Sequence, residues 1–182
     1  LMGYDNKMIR RFTEMAVQNP KRVVFAEANH ANMLSAAVTA YQEGICFPIL
    51  LGNTDYIHSV AEQNGLNLDG LEIVNLRSGE ETERREKYAK ILAQKRQREG
   101  ITLDEAREKM FDRNYFGMMM VEVGDADAFI TGTYTKYTET IQIAKDVIGI
   151  REGHKHFGAM HIMNTKKGTY FLADTLINRH PD

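Results

Sequence analysis

Two polar loops hold the residue types that could do chemistry. The first, "EANHANML", places Glu27, Asn29, His30 and Asn32 directly after the apolar run "RVVFA". The second, "TGTYTKYTET", follows "DAFI" and groups Gly132, Thr133, Thr135, Lys136 and Tyr137. Each loop ends a short apolar run and opens a helical pattern. That setting suits anion binding: Gly132 lets backbone come close, the two threonine hydroxyls donate, Lys136 adds charge, and a helix start offers free N–H groups. Taken alone, either loop has a plainer reading, because Asn and Thr begin helices simply to cap them. Capping is the favoured reading of each in isolation. A third polar group, Asp174, Thr175 and Asn178, stands in "GTYFLADTLINRHPD", which reads as a buried strand running into a polar end.

Other chemistries find no support. There is no G-x-G-x-x-G after a strand, no G-x-x-x-x-G-K-[ST] and no G-x-S-x-G. His154 and His156 flank Lys155 with no carboxylate or cysteine nearby, so they read as a solvent-facing turn rather than metal ligands. His58 and His161 fall in amphipathic or strand-like stretches and read as structural. The single cysteine, Cys46 in "GICFPILLG", excludes an internal disulfide and suits a reducing compartment. With apolar neighbours and no cation beside it, it reads as a small buried hydrophobe, not a nucleophile. The run Met118–Met120 reads as core or oligomer interface rather than metal site.

The elements that must position the loops follow from periodicity. Short β-branched runs, "RVVFAE", "FPILLG", "LEIVNL" and "DAFITG", alternate with helical patterns, which implies βαβ units and a mainly parallel sheet. Helical spacing covers 5–19 and ends at Pro20, while Met33, Leu34, Ala37, Ala40 and Tyr41 form one face of a helix stopped by Gly44 at C′. "TDYIHSVAEQNG" is a helix closed by Gly65. The charge-dense run from Glu80 to Glu99 mixes both signs at helical spacing, so it reads as a solvated helix laced with ion pairs rather than a nucleic-acid patch. Thr102 and Glu105 form a capping box, and Phe116, Met119, Met120 and Val123 face inward on a further helix. A helix follows with Ile141, Ala144 and Ile148 inward. The final "HFGAMHIMNTKKGTYFLADT" reads as a hairpin, so a second subdomain is expected from about residue 158.

The chain has 182 residues with 23 basic and 25 acidic side chains, a net charge of -2. That balance gives no reason for nucleic-acid or membrane binding through bulk charge. No apolar run is long enough to span a bilayer, and "LMGYDNKMIRRF" lacks a signal-peptide core. A cytoplasmic protein is expected. The start at Leu1, without a methionine, points to further residues upstream.

"KRVVFAEANHANMLSAAVTAYQEGICFPILLGN" resembles the opening of the phosphotransacetylase (phosphate acetyl/butyryltransferase) family, and "NYFGMMMVEVGDADAFITG", "KYTETIQIAKDVIG" and "GTYFLADTLIN" are similar to later blocks in the same order. The likeness is strongest to the phosphotransacetylase-like C-terminal domain of bacterial NADP-dependent malic enzymes, through Arg113 to Ala128 and Lys136 to Ile141. The resemblance implies an α/β fold of three αβα layers with a mostly parallel sheet, isocitrate/isopropylmalate dehydrogenase-like. It implies a first subdomain over 1–158 and, over 159–182, the first strands of a truncated second one. Where the transacetylases carry a Gly-Glu/Asp-x-x-Arg pattern, this chain has Ala28 to Asn32, and Thr175 takes the place of a cysteine found in some members.

Those departures argue against acyl transfer and leave binding of acetyl-CoA or a related acyl-CoA. The resemblance therefore implies a regulatory, oligomerising module of a malic enzyme, whose upstream catalytic region would use NADP and divalent Mg or Mn. No catalytic residue is then expected here, and the partners are that region, a small acyl-CoA or phosphate effector and further copies of the chain. A phosphate acetyl- or butyryltransferase is the alternative, and a purely assembling scaffold a third. The effector site is expected between Gly132–Tyr137 and the cluster Asp174, Thr175 and Asn178, with Asn29 and His30 across the cleft. The apolar hairpin residues Phe157, Met160, Ile162, Tyr170 and Leu172 are expected to meet another chain or to remain an exposed patch.

Overall fold

The computed structural model describes residues 6–174 and 176–178. They fall into two compact units: Phe12–Ile148, and the described parts of Leu1–Arg11 with Gly149–Asp182.

The larger unit is built on a four-stranded sheet in the order β3-β2-β1-β4, formed by β1 (Lys21–Phe25), β2 (Cys46–Leu51), β3 (Glu72–Val74) and β4 (Ala128–Ile130). Every pairing is parallel, with Val24 opposite Ile49 on one side and opposite Phe129 on the other. The four apolar runs read from the sequence are therefore neighbours in one parallel sheet. Successive side chains on a strand point to opposite faces, and here both faces are covered. Val24, Ile49, Leu51 and Val74 enter one core with Tyr88, Leu92, Met110, Phe116, Met119 and Val147. Val23, Phe25 and Leu50 enter the other with Met33, Leu34, Ala37, Ile57 and Val60. The result is three layers, helix on sheet on helix.

Local sequence explains the helices. α2 (Ala31–Gln42) ends in a Schellman arrangement: Gly44, at φ 68°, donates to the Tyr41 carbonyl (2.9 Å) and Ile45 to that of Ala40 (2.8 Å). α3 (Thr54–Gln63) is capped by the Asn53 side chain, which accepts from the Tyr56 N–H. α5 (Leu103–Lys109) starts with the Thr102–Glu105 capping box read from the sequence. α6 (Arg113–Glu122) is capped by Asp112 and is buried from Asn114 to Met120, so the methionines are core. Cys46 is also buried, and burial pushes its thiol pKa up, as expected of an inert residue.

Three expectations about the helices need correction. On α2 the buried face includes Val38, whereas Tyr41 is only partly buried. On α7 (Tyr137–Val147) the inward residues are Ile143, Ala144 and Val147, while Ile148 is 41% exposed. Apolar residues at 141, 143, 144, 147 and 148 fit two overlapping helical faces, and packing on α6 decides between them. The charged helix α4 (Thr82–Arg96) carries ion pairs such as Lys90–Glu86, but it is not merely solvated. Lys95 donates to the carbonyls of Val147 (2.6 Å) and Ile148 (3.0 Å), and Arg96 to those of Lys145 and Asp146 (2.6 Å each). Two cations thus satisfy the last carbonyls of α7.

The smaller unit holds an antiparallel hairpin, β5 (Met160–Thr165) and β6 (Gly168–Ala173), with Ile162 opposite Phe171. The strand read as buried is exposed along almost its whole length, including Tyr170, Phe171 and Leu172. Its partner exposes Met160, Ile162 and Met163, whereas Phe157 is partly buried. α1 (Lys7–Gln18) has no buried residue. Among the described residues, no helix is long and apolar enough to cross a membrane.

Candidate functional site

β1 continues into α2, and β4 returns to the opposite side of β1 from β2, so the strand order reverses between β1 and β4. A crevice outside the carboxyl ends of the strands at such a point is the usual ligand position in open α/β sheets. Both polar loops singled out in the sequence meet there.

Their meeting is organised by Glu27, two residues beyond β1 and only 3% exposed. Its carboxylate accepts from the Thr133 N–H (2.9 Å), the Tyr134 N–H (3.0 Å) and the Thr135 hydroxyl (2.9 Å). Burial pushes this carboxyl pKa up, but the Tyr134, Thr135 and Thr133 donors outweigh burial and hold it below its ordinary value. The carboxylate is therefore an internal anion for the loop after β4. The Thr135 hydroxyl, expected to donate to a ligand, is already engaged, as are the Thr133 and Tyr134 N–H groups beside it. Across the same junction the His30 ring stacks on Tyr134, centroids 3.5 Å apart, and the Ala26 N–H donates to the Ile130 carbonyl at 3.1 Å. Thr131 donates its hydroxyl to Asn114 Oδ1 (2.9 Å), tying the loop to the start of α6.

The two helices opened by these loops lack side-chain caps. His30 is the N-cap of α2 and Lys136 that of α7, and neither caps through its side chain, unlike Asn53, Thr102 and Asp112 elsewhere. The capping reading of the two loops is thereby corrected. Gly132 has φ +104°, where an L-residue is strained, yet a Cβ there would meet nothing within 4 Å. Backbone conformation, not crowding, demands glycine. Lys136 is exposed and sits 3.6 Å from Glu139, and Tyr137 begins α7 at the surface. Asn29 accepts from the Arg113 guanidinium, which brings a cation to the loop from α6. Asn32 is exposed in the first turn of α2.

Asp174 and Asn178 belong to the smaller unit and bind each other. Asn178 also donates to the Phe157 carbonyl at 2.6 Å, and the Asp174 N–H donates to Ala159. Asp174, at φ 54°, turns the chain at the end of β6, and Asn178 donating to its carboxylate lowers its pKa. Both line a concavity with His154, Lys155 and His156. Thr175 lies outside the described residues. Of the expected set, then, Asn29, His30, Gly132, Thr133, Thr135, Lys136 and Tyr137 come together, and Asp174 and Asn178 pair separately. Glu27 stood in the quoted loop but not among the expected ligand residues. Only its place just beyond a buried strand hinted at a role. Arg113 lay within a quoted block without being singled out.

The family model Phosphate acetyl/butaryl transferase matches residues 7–182. The chain is 33% identical over 181 residues to the NADP-dependent malic enzyme of Escherichia coli (strain K12), covering 97% of this chain and 24% of that protein. It is 32% identical over 182 residues to the phosphate acetyltransferase of Thermoanaerobacterium thermosaccharolyticum, covering 96% of this chain and 54% of that protein. In fold it is similar to a phosphotransacetylase from Streptococcus pyogenes (TM-score 0.83, 24% identity, 96% of this chain and 52% of that one). It is also similar to the EutD phosphotransacetylase from Staphylococcus aureus (TM-score 0.81, 22% identity, 96% and 52%). The chain thus spans about half the length of these transferases and about a quarter of the malic enzyme.

Proposed function

We propose, for a chain that belongs to the phosphate acetyl/butaryl transferase family, that it acts as an acyl-CoA-sensing and assembling module of an NADP-dependent malic enzyme. In that reading the oxidative decarboxylation of malate belongs to another region of the polypeptide. The observation that carries the proposal is the pair of uncapped helix starts beside Lys136 and His30 at the strand-order reversal. Uncapped N-termini with a nearby cation favour phosphate groups. Glu27 fills the inner donors of the loop, so a phosphate must use the first turns of α2 and α7 and Lys136 instead. Each such charge-assisted bond is worth about 1.5–3 kcal/mol.

NADP and a divalent metal would be needed by the parent reaction. The described residues contain no group of three or more His, Cys, Asp or Glu suited to a metal. The apolar hairpin β5–β6, open on both faces, supports association with a second copy of the chain.

The second reading, a phosphate acetyl- or butyryltransferase, is favoured by the identity to a phosphate acetyltransferase and by the two transferase folds. Exposed Asn32, where the resemblance implies a basic residue, weighs against it. Acetyl-CoA titrated calorimetrically into the full-length protein should bind, weakening with Lys136→Ala and with Gly132→Val. Binding unchanged by both would move the effector elsewhere. Acetyl phosphate formed from acetyl-CoA and phosphate would instead establish the transferase.

A further inference from the structure

A second concavity lies in the larger unit, outside the carboxyl ends of β1, β2 and β3 and on the far side of Asn29 from the loop after β4. Its volume is about 570 Å³, and Tyr56, Arg77, Phe111 and Arg113 are among the residues around it. That volume is within the range of about 300–1,000 Å³ typical of small-molecule sites.

Its walls combine flat surfaces with two arginines, Arg77 and Arg113, against one carboxylate, Asp112. Tyr56 is 55% exposed and Phe111 41%, although both are large aromatic rings. The Arg77 guanidinium carbon lies 5.8 Å from the Phe111 ring centre, and that of Arg85 lies 4.8 Å away. Arg85 is held by the Leu76 carbonyl (2.5 Å), the Ser78 carbonyl (2.8 Å) and the Thr82 hydroxyl (2.9 Å). Arg77 has no such restraint, and among the described residues no carboxylate forms an ion pair with Arg77 or Arg113. The carboxylate at the rim, Asp112, accepts through Oδ1 from the Asn114 and Tyr115 N–H groups (2.8 and 3.1 Å). Arg113 contacts the neutral Asn29 instead.

We infer that this concavity binds a nucleoside phosphate. A planar base can lie against Tyr56 or the Arg77–Phe111 pair, because aromatic rings and guanidinium planes both stack on bases. The phosphate can be gripped by Arg77 and Arg113, whose forked donors match it. A free nucleotide and the nucleotide end of a coenzyme share this chemistry. The residues around this concavity are separate from the helix starts of the proposed effector site, apart from Asn29 at the boundary.

The experiment is calorimetric titration of the full-length protein with ADP, with coenzyme A and with inorganic phosphate. ADP should bind saturably at one site per chain, and Arg77→Gln and Arg113→Gln should each weaken it about tenfold, the effect of one lost charge-assisted contact. Arg77 is exposed, so the first variant should keep the wild-type circular dichroism even if the second does not. Lys90→Ala, on the outer face of α4, should change nothing. If coenzyme A competes with ADP and loses the same factor with Arg77→Gln, the source is a coenzyme. If ADP binds and coenzyme A does not compete, the source is a free nucleotide. No ADP binding at millimolar concentration, or binding unaffected by Arg77→Gln, overturns the inference. Inorganic phosphate binding as tightly as ADP overturns it too, since the flat walls would then contribute nothing. Acetyl-CoA binding lost with Lys136→Ala while ADP binding persists would separate this site from the proposed effector site.

Discussion

His30 and Tyr134 lie ring on ring, with centroids 3.5 Å apart and planes inclined by 19°. One residue precedes α2 and the other follows β4, so the stack joins two loops that share no backbone. Tyr134 is 54% exposed, which places the pair near the low end of aromatic coupling, about 0.5 kcal/mol. A double-mutant cycle with His30→Ala and Tyr134→Ala, read by urea unfolding, should give that coupling. Strictly additive variants would mean that the rings touch without stabilising one another.

Glu27 contributes more. Replacing it with Gln keeps the shape but turns an amide NH₂ toward a backbone donor, and the cost should be about 1–3 kcal/mol. The pH dependence has a definite sign. Because donors lower the folded pKa of Glu27, its contribution is present above the unfolded value, about 4.3, and is lost as pH falls through the folded value. Unfolding curves of wild type and Glu27→Gln should therefore converge in acid. A gap independent of pH would mean that the carboxylate charge plays no part.

Gly117 sits in the middle of α6, where alanine usually gains up to about 1 kcal/mol over glycine. Here a Cβ would strike the Phe129 ring, lying 2.8 Å from Cδ2, and would stand 3.0 Å from Leu51 Cδ1. Overpacking of this kind costs about 1–3 kcal/mol, so Gly117→Ala should destabilise. A raised midpoint in thermal unfolding would show that β4 can shift without penalty.

On the outer surface, the Arg107 guanidinium holds the Glu86 carboxyl pKa down to about 2, with Lys90 assisting. Arg107→Ala should return the Glu86 titration, followed by carbon-13 NMR, toward the ordinary carboxylate range. Stability near neutral pH should hardly change, since exposed ion pairs contribute little. A Glu86 titration that stays low in the variant would point to another cause.

What could be read from the sequence was what neighbours decide. The Schellman turn at Gly44 and the Thr102–Glu105 box need only residues a few positions apart, and both stand as expected. The strands at Val23–Phe25 and Ile49–Leu51 were legible because a sheet covered on both faces has no polar alternation to interrupt. Val147 and Ile148 were interchangeable on a helical wheel until α6 selected one of them. The β6 strand carries apolar side chains on both faces, which by pattern alone is a buried strand. The site divides in the same way. The loop types were readable, but the carboxylate that engages Thr133 and Tyr134 is 106 and 107 positions away in the chain. Arg77 and Phe111 come from different connections and share a concavity only through the sheet.

That separation has a consequence during synthesis. Glu27 leaves the ribosome 106 residues before Thr133. At about 5–20 residues per second, the wait is roughly 5–20 seconds. Through that interval β1 lacks its β4 edge, and a carboxylate destined for the interior has no donors to meet it. An acidic side chain remains hydrated until late, so it opposes premature collapse of the first β-α-β segment around the wrong neighbour. The last strand of the sheet to be made is also the one that lets this charge go inside, so assembly of the loop junction marks completion of the sheet.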